Sequence, residues 1–183
     1  MNRYGPVAGN KVEKAMKERK GAKEMSMQKI TPNLWFNGNA QEAVDYYVSV
    51  FPDSKIIASS NYPTEGLADF QKNLAGQVLT IDFELAGQRF TAINAGPEFS
   101  FTEAVSFSIV CKDQEEIDYY WAQLSAVPES EQCGWAKDKY GLSWQIVPQT
   151  MDQLMQLPGA FEKLMNMKKI IIADFLGSKK SGS

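Results

Sequence analysis

Apolar side chains at positions 40, 43, 44, 47, 48 and 51 recur at the spacing of one helix face, whereas residues 78–85 and 88–93 alternate apolar with polar. The first pattern predicts an amphipathic helix over 40–51. Asn39 stands where a cap belongs, Glu42 completes a capping box, and Pro52-Asp53 stops the helix. A strand at 30–36 precedes it and ends in the turn Asn37-Gly38-Asn39. A strand near 55–60 and a polar excursion over 63–76 follow it. The alternating segments then form a hairpin closed around Ala86-Gly87. The order is β-α-β-β-β.

The second half repeats this order. Gln41-Glu42-Ala43-Val44-Asp45-Tyr46-Tyr47 returns as Gln114-Glu115-Glu116-Ile117-Asp118-Tyr119-Tyr120, and Gly87-Gln88-Arg89-Phe90 is matched by Gly141-Leu142-Ser143-Trp144. Around these lie a predicted strand at 104–111 and a helix at 114–125 capped by Asp113, burying Ile117, Tyr120, Trp121 and Leu124. A short strand near 127–130 and a hairpin of 131–138 with 143–148, turning at Lys139-Tyr140-Gly141, complete the copy. After Pro148 come helical pieces at 151–157, 160–167 and 169–175, the first two parted by Pro158-Gly159. The Met-rich stretch there (Met151, Met155, Met165, Met167) is expected to pack on the body or on a second subunit. The fold class is therefore α+β: two tandem β-α-β-β-β modules, 28–96 and 100–149, with a C-terminal helical extension at 150–176. Together these make a domain over 27–176, between a basic extension at 1–26 and a tail at 177–183 expected to be disordered. The functional surface is expected where the modules meet.

Composition narrows the chemistry. The chain of 183 residues is 44% hydrophobic and 22% charged, an ordinary globular balance. It shows no apolar run of membrane-spanning length and no signal peptide, which points to a cytoplasmic protein. Residues 1–26 hold seven basic groups against three acids, a surplus of four, so with a total of −3 the rest carries −7. An acidic body argues against a nucleic-acid groove. There is no histidine, which excludes Ser-His-Asp and Cys-His catalysis and the common imidazole zinc sites. Acid-base work would fall to carboxylates, tyrosine or lysine. Cys111 and Cys133 have neither disulfide-framework nor metal-ligand spacing, and Cys133 is expected to be a buried structural thiol. Asp138-Lys139-Tyr140-Gly141 reads as an acid-base cluster or, more simply, as a hairpin turn.

Paired β-α-β-β-β modules resemble the vicinal oxygen chelate superfamily, which includes glyoxalase I, extradiol dioxygenases and bleomycin- and fosfomycin-resistance proteins. Several motifs resemble its PhnB-like branch, often labelled 3-demethylubiquinone 3-methyltransferase. They are Asn37-Gly38-Asn39-Ala40-Gln41-Glu42-Ala43, Asn94-Ala95-Gly96-Pro97, Phe101-Thr102-Glu103-Ala104, Cys133-Gly134-Trp135 and Ser143-Trp144-Gln145-Ile146-Val147-Pro148. The resemblance spans roughly 28–175. It implies a cavity lined by the sheet faces turned away from the helices, and a homodimer. The methyl-transfer activity is not carried over, because the chain lacks a Gly-rich strand-to-helix turn followed by an acidic ribose-binding residue.

Strand alternation supplies the candidates. Leu34, Phe36, Ile81, Phe83, Phe90 and Ala92 should lie under the first helix, and Val105, Phe107, Ile109, Trp144 and Ile146 under the second. The opposite faces then carry Asn33, Trp35, Thr80, Asp82, Glu84, Arg89 and Thr91, and Ser106, Ser108, Ser143 and Gln145. Asn33, Trp35, Asp82, Arg89, Thr91, Ser106, Ser108 and Gln145 are the candidate ligand-binding residues. Trp35 is suited to stacking on a flat ligand, and Asp82 and Arg89 could form a charge pair or sit at a solvated rim. The resemblance implies metal ligands on the first and last strands of each module. The repeat offsets place those positions at Asn33, Thr91, Ser106 and Gln145, none of them a carboxylate, imidazole or thiolate. No transition-metal site and no cofactor are expected. Three functions remain open: a metal-free binder of a small organic molecule, a lyase, isomerase or dioxygenase using Asp82 or Glu84 as base with Arg89 steadying an anion, and a structural or regulatory dimer.

Overall fold

The structure is a computed structural model that describes residues 28–177. The chain divides into two units, Met1–Thr31 and Pro32–Ser183. Of the first, only 28–31 are described, with the Gln28 amide donating to the Ile30 carbonyl at 2.6 Å. The extension expected over 1–26 and the tail beyond residue 177 lie outside the described residues.

In the second unit, module one comprises β1 (Asn33–Asn37), α1 (Ala40–Val50), β2 (Lys55–Asn61), a 3-10 turn (Asp69–Leu74), β3 (Val78–Leu85) and β4 (Gln88–Ala95). Its sheet runs β1-β4-β3-β2, with β1 parallel to β4 and the other pairs antiparallel. The period-two alternation does the sorting. Leu34, Phe36, Ile81, Phe83, Phe90 and Ala92 are all buried on the α1 side, while Asp82 stays exposed on the other. The edge strand β2 is exposed along its whole length.

Module two has β5 (Ser106–Cys111), α2 (Gln114–Leu124), a 3-10 turn (Pro128–Ser130), β6 (Trp135–Lys137) and β7 (Ser143–Pro148). Its sheet runs β5-β7-β6, again with a parallel outer pair. The copy is incomplete. The strand expected at 127–130 is the 3-10 turn: Pro128 has no amide to give a ladder, and Ser130 N–H closes on the Val127 carbonyl at 3.0 Å. The strand expected over 131–138 keeps only its last part, because Cys133 and Gly134 take φ of +52° and +87° and leave the extended region. Val105, expected under the helix, precedes β5 and is 63% exposed.

The helix caps differ as well. Asp113 caps α2 by accepting from Glu116 N–H at 2.9 Å, and the Glu116 carboxylate reaches back one residue past the cap to accept from Lys112 N–H at 2.6 Å. Asn39 makes no such bond. The oxygen that caps α1 is Oδ1 of Asn94, from β4, accepting from Ala40 N–H at 3.1 Å. Glu42 turns instead to the Tyr140 hydroxyl at 2.8 Å.

The doubled phrase has a physical reason. Tyr46 of α1 donates its hydroxyl to the Gln123 carbonyl near the end of α2, and Tyr119 of α2 donates to the Val50 carbonyl at the end of α1, at 2.8 Å. These residues are each other's counterparts in the repeat, so the helices satisfy one another's last carbonyls about a local two-fold axis. Next to them, Tyr47 packs edge-on against Trp144 of β7, and Phe51 lies tilted against Tyr120. One apolar core therefore serves both modules, and the sheet faces turned from the helices lie outside it.

The C-terminal extension forms three short helices, α3 (Met151–Leu154), α4 (Ala160–Met165) and α5 (Ile172–Leu176), each shorter than predicted. Cys133 and Gly134 N–H donate to the Met167 and Lys168 carbonyls at 2.8 and 2.7 Å. Gln114 clamps the same segment with both ends of its amide, giving to the Ile170 carbonyl and taking from Ile172 N–H. Met151, Met155 and Met167 pack on the core, and Met165 is 45% exposed. Among the described residues no helix is long and apolar enough to cross a membrane.

Candidate functional site

A cavity of about 900 Å³ opens on module one. Strand β1 contributes Trp35 and β4 contributes Ile93, which are partners in the parallel register and point away from α1. The excursion after β2 contributes Tyr62, Leu67, Phe70 and Leu74. The segment after β4 closes the far side at Gly96-Pro97-Glu98.

The walls are held by local bonds. Trp35 Nε1–H donates to the Gly96 carbonyl at 2.9 Å, and its ring meets Phe99 edge-on at 4.9 Å between centroids. One hydrogen bond and one ring contact therefore fix the indole plane. Tyr62, 7% exposed, donates its hydroxyl to the Asn94 carbonyl, and its own backbone joins Gln77 and Gly76 to close the neck of the excursion. Asn94 adds a bond from Nδ2 to the Val78 carbonyl at 3.0 Å.

The other candidates fall in two groups. Asn33, Asp82, Glu84, Arg89 and Thr91 share the outer face of the first sheet with Trp35 but do not line the cavity. Asp82 lies opposite Thr91 and accepts its hydroxyl at 2.7 Å. The register sets Arg89 against Glu84 rather than Asp82, and Glu84 draws Lys55 at 3.6 Å and Arg89 at 3.9 Å. Ser106, Ser108 and Gln145 lie on the outer face of the second sheet, where Gln145 Nε2 donates to Ser106 Oγ at 2.8 Å. Thr91 pairs with Asn33, whereas Gln145 pairs with Ser108, so the counterpart of Asn33 is two residues beyond the position given by the helix offset. Of all the candidates, Trp35 alone lines a described cavity.

As ligands for a transition metal these residues do not fit. The donors are neutral hydroxyls and amides, and several are bonded to one another. Among the described residues no three His, Cys, Asp or Glu side chains converge.

Sequence reasoning missed the shielded carboxylate. Asp138 is 1% exposed. Its Oδ1 accepts from Tyr140 and Leu142 N–H, and its Oδ2 from the Tyr47 hydroxyl and Trp144 Nε1–H, each of the last two at 2.8 Å. Burial pushes its carboxyl above the usual range, against the pull of these donors. Burial and the neighbouring Asp138 raise the Tyr47 phenol well above its ordinary value. Asp138 lines no described cavity, and its acceptor positions are taken, so it joins α1 to the second hairpin rather than serving a ligand. The Asp-x-x-Gly turn at Asp138–Gly141 was the available signal; the partner Tyr47, 91 residues away, left none. Cys133, expected to be buried, is half-buried with Sγ 3.7 Å from Met165 Sδ; the buried thiol is Cys111.

The two sheets, each with its helix, and the cavity on a sheet face define an α+β protein of two tandem sheet-and-helix modules. The chain belongs to the family described as 3-demethylubiquinone-9 3-methyltransferase, whose model matches residues 28–147. Among solved structures, it is similar to a Bacillus cereus protein titled "Putative 3-demethylubiquinone-9 3-methyltransferase, PhnB protein". That likeness has 36% identity and a TM-score of 0.53, covering 66% of this chain and 99% of the other. A Staphylococcus aureus protein is 30% identical over 68% of this chain and 99% of its own, with a TM-score of 0.31. The Listeria monocytogenes fosfomycin resistance protein FosX is 14% identical over 70% and 97%, with a TM-score of 0.44. A search of curated protein sequences gives no match.

Proposed function

We propose that this protein binds a small, flat, mainly apolar organic molecule in the module-one cavity, without a transition metal. One observation carries this reading: Trp35 is held rigidly in the wall of a cavity of about 900 Å³ whose other walls are mostly apolar. Volumes of roughly 300–1,000 Å³ with few polar groups are usual for small-molecule sites. An aromatic ring fixed before binding costs little entropy when a ligand stacks on it. Asp82, Glu84 and Arg89, the groups an acid-base mechanism was expected to use, lie outside the cavity, which favours capture over that mechanism. The activity in the family's name forms no part of it.

The test is titration with 2-naphthol, followed by calorimetry. Binding is expected, and Trp35→Ala should weaken it about tenfold or more, while Ser108→Ala on the other sheet should leave it unchanged. Absence of binding, or equal affinity in Trp35→Ala, would overturn the proposal. Purified protein analysed by atomic absorption should carry far less than one zinc or iron per chain.

A further inference from the structure

A second polar cluster lies on the outer face of module two. The register sets Lys137, Ser143 and Ser106 side by side across β6, β7 and β5, with Trp135, Gln145 and Ser108 forming the next row. Ala136 and Trp144, between these rows, are buried in the core, so the pleat turns Lys137, Ser143 and Gln145 to the opposite side. Ser143 is 1% exposed there, and its Oγ has no hydrogen-bond partner among the described residues. A buried hydroxyl left unpaired costs stability, so its retention needs a reason. Its neighbour Ser106 Oγ takes the Gln145 amide, and its other neighbour, Lys137, carries a carboxylate: Glu103, from the loop before β5, is ion-paired to Nζ. Glu103 is 58% exposed and Lys137 only 21%. The acid is thus the more exposed partner, and it also forms a wall of an adjoining cavity of about 380 Å³, together with Trp135.

We infer that this cluster is a binding site for a small organic carboxylate, for which Glu103 is the built-in substitute. The incoming carboxylate replaces Glu103 on Lys137 Nζ and takes the Ser143 hydroxyl as a second donor, a charge-assisted pair of bonds. The remainder of the ligand lies in the adjoining cavity against Trp135. Displaced, the Glu103 side chain moves into solvent at little cost, because a part-exposed ion pair contributes little. The site is separate from the module-one cavity and stands whether or not that cavity binds 2-naphthol.

Calorimetric titration of the full chain with benzoate tests it. Glu103→Gln removes the competitor and should bind benzoate more tightly, by up to about fivefold. Ser143→Ala should weaken benzoate binding about tenfold or more, yet melt no lower than the parent chain, since it deletes an unpaired buried hydroxyl. Lys137→Met should abolish binding. Failure of Glu103→Gln to bind benzoate, or equal affinity in Ser143→Ala, overturns the proposal. Tighter binding of inorganic phosphate than of benzoate overturns the carboxylate assignment.

Discussion

Asn94 serves three elements with one residue: its side chain caps α1 and holds the Val78 carbonyl, and its backbone oxygen receives Tyr62. Asn94→Ala should cost about 2–3 kcal/mol, a lost cap plus an orphaned carbonyl, and lower Tm by about 4–12 °C on calorimetry. Asp138 gives a pH signature. Its folded pKa is raised, so its contribution to stability is full below the ordinary carboxylate pKa and is lost as pH rises through the folded value. Urea unfolding of the parent chain and Asp138→Asn should show the parent's relative stability falling as pH rises from about 4 through the folded pKa, then levelling off. A difference that grows with pH would refute this. The thiols are also distinguishable: burial pushes Cys111 up to about 12. At pH 8, Ellman's reagent should label Cys133 in the native chain and both cysteines only after unfolding, because the thiolate is the reactive form.

Among the elements, the two helices and both hairpin-forming strand pairs were legible in the sequence, since their burial follows periods of 3.6 and 2. The α1 cap was not, because its oxygen arrives from a strand 54 residues away. Nor was the shortening of the strand expected over 131–138, which depends on how the chain at Cys133-Gly134 receives the C-terminal segment. There a Cβ on Gly134 would meet Ile170 Cδ1 at 2.9 Å and the Ile146 carbonyl at 3.0 Å, at a φ of +87°. Gly134→Ala should therefore cost about 2–4 kcal/mol from the left-handed backbone and crowding together, seen as a lower urea midpoint with the C-terminal segment loosened in hydrogen exchange. The candidate site was legible only at Trp35. Alternation told which face it occupied, but the walls come from the excursion at 62–74 and the turn at 96–98, whose paths no periodicity specifies.

At the scale of the whole molecule, both outer sheet faces lie beyond the shared core, and Ile56, Ile57, Val105 and Val110 are exposed apolar groups in or beside β2 and β5. We also propose the expected homodimer, for which sedimentation equilibrium should report twice the chain mass at micromolar concentration. The reciprocal tyrosines carry a different consequence. Because α1 offers α2 what α2 offers α1, the contact within the chain has the symmetry of a contact between identical partners. An ancestor half as long, encoding one module, could have closed the same junction with its twin before the gene was doubled. Severing the chain between residues 98 and 103 would recreate that situation: the halves hold the surfaces needed to find each other, and each also holds what it needs to mistake its own copy for its mate.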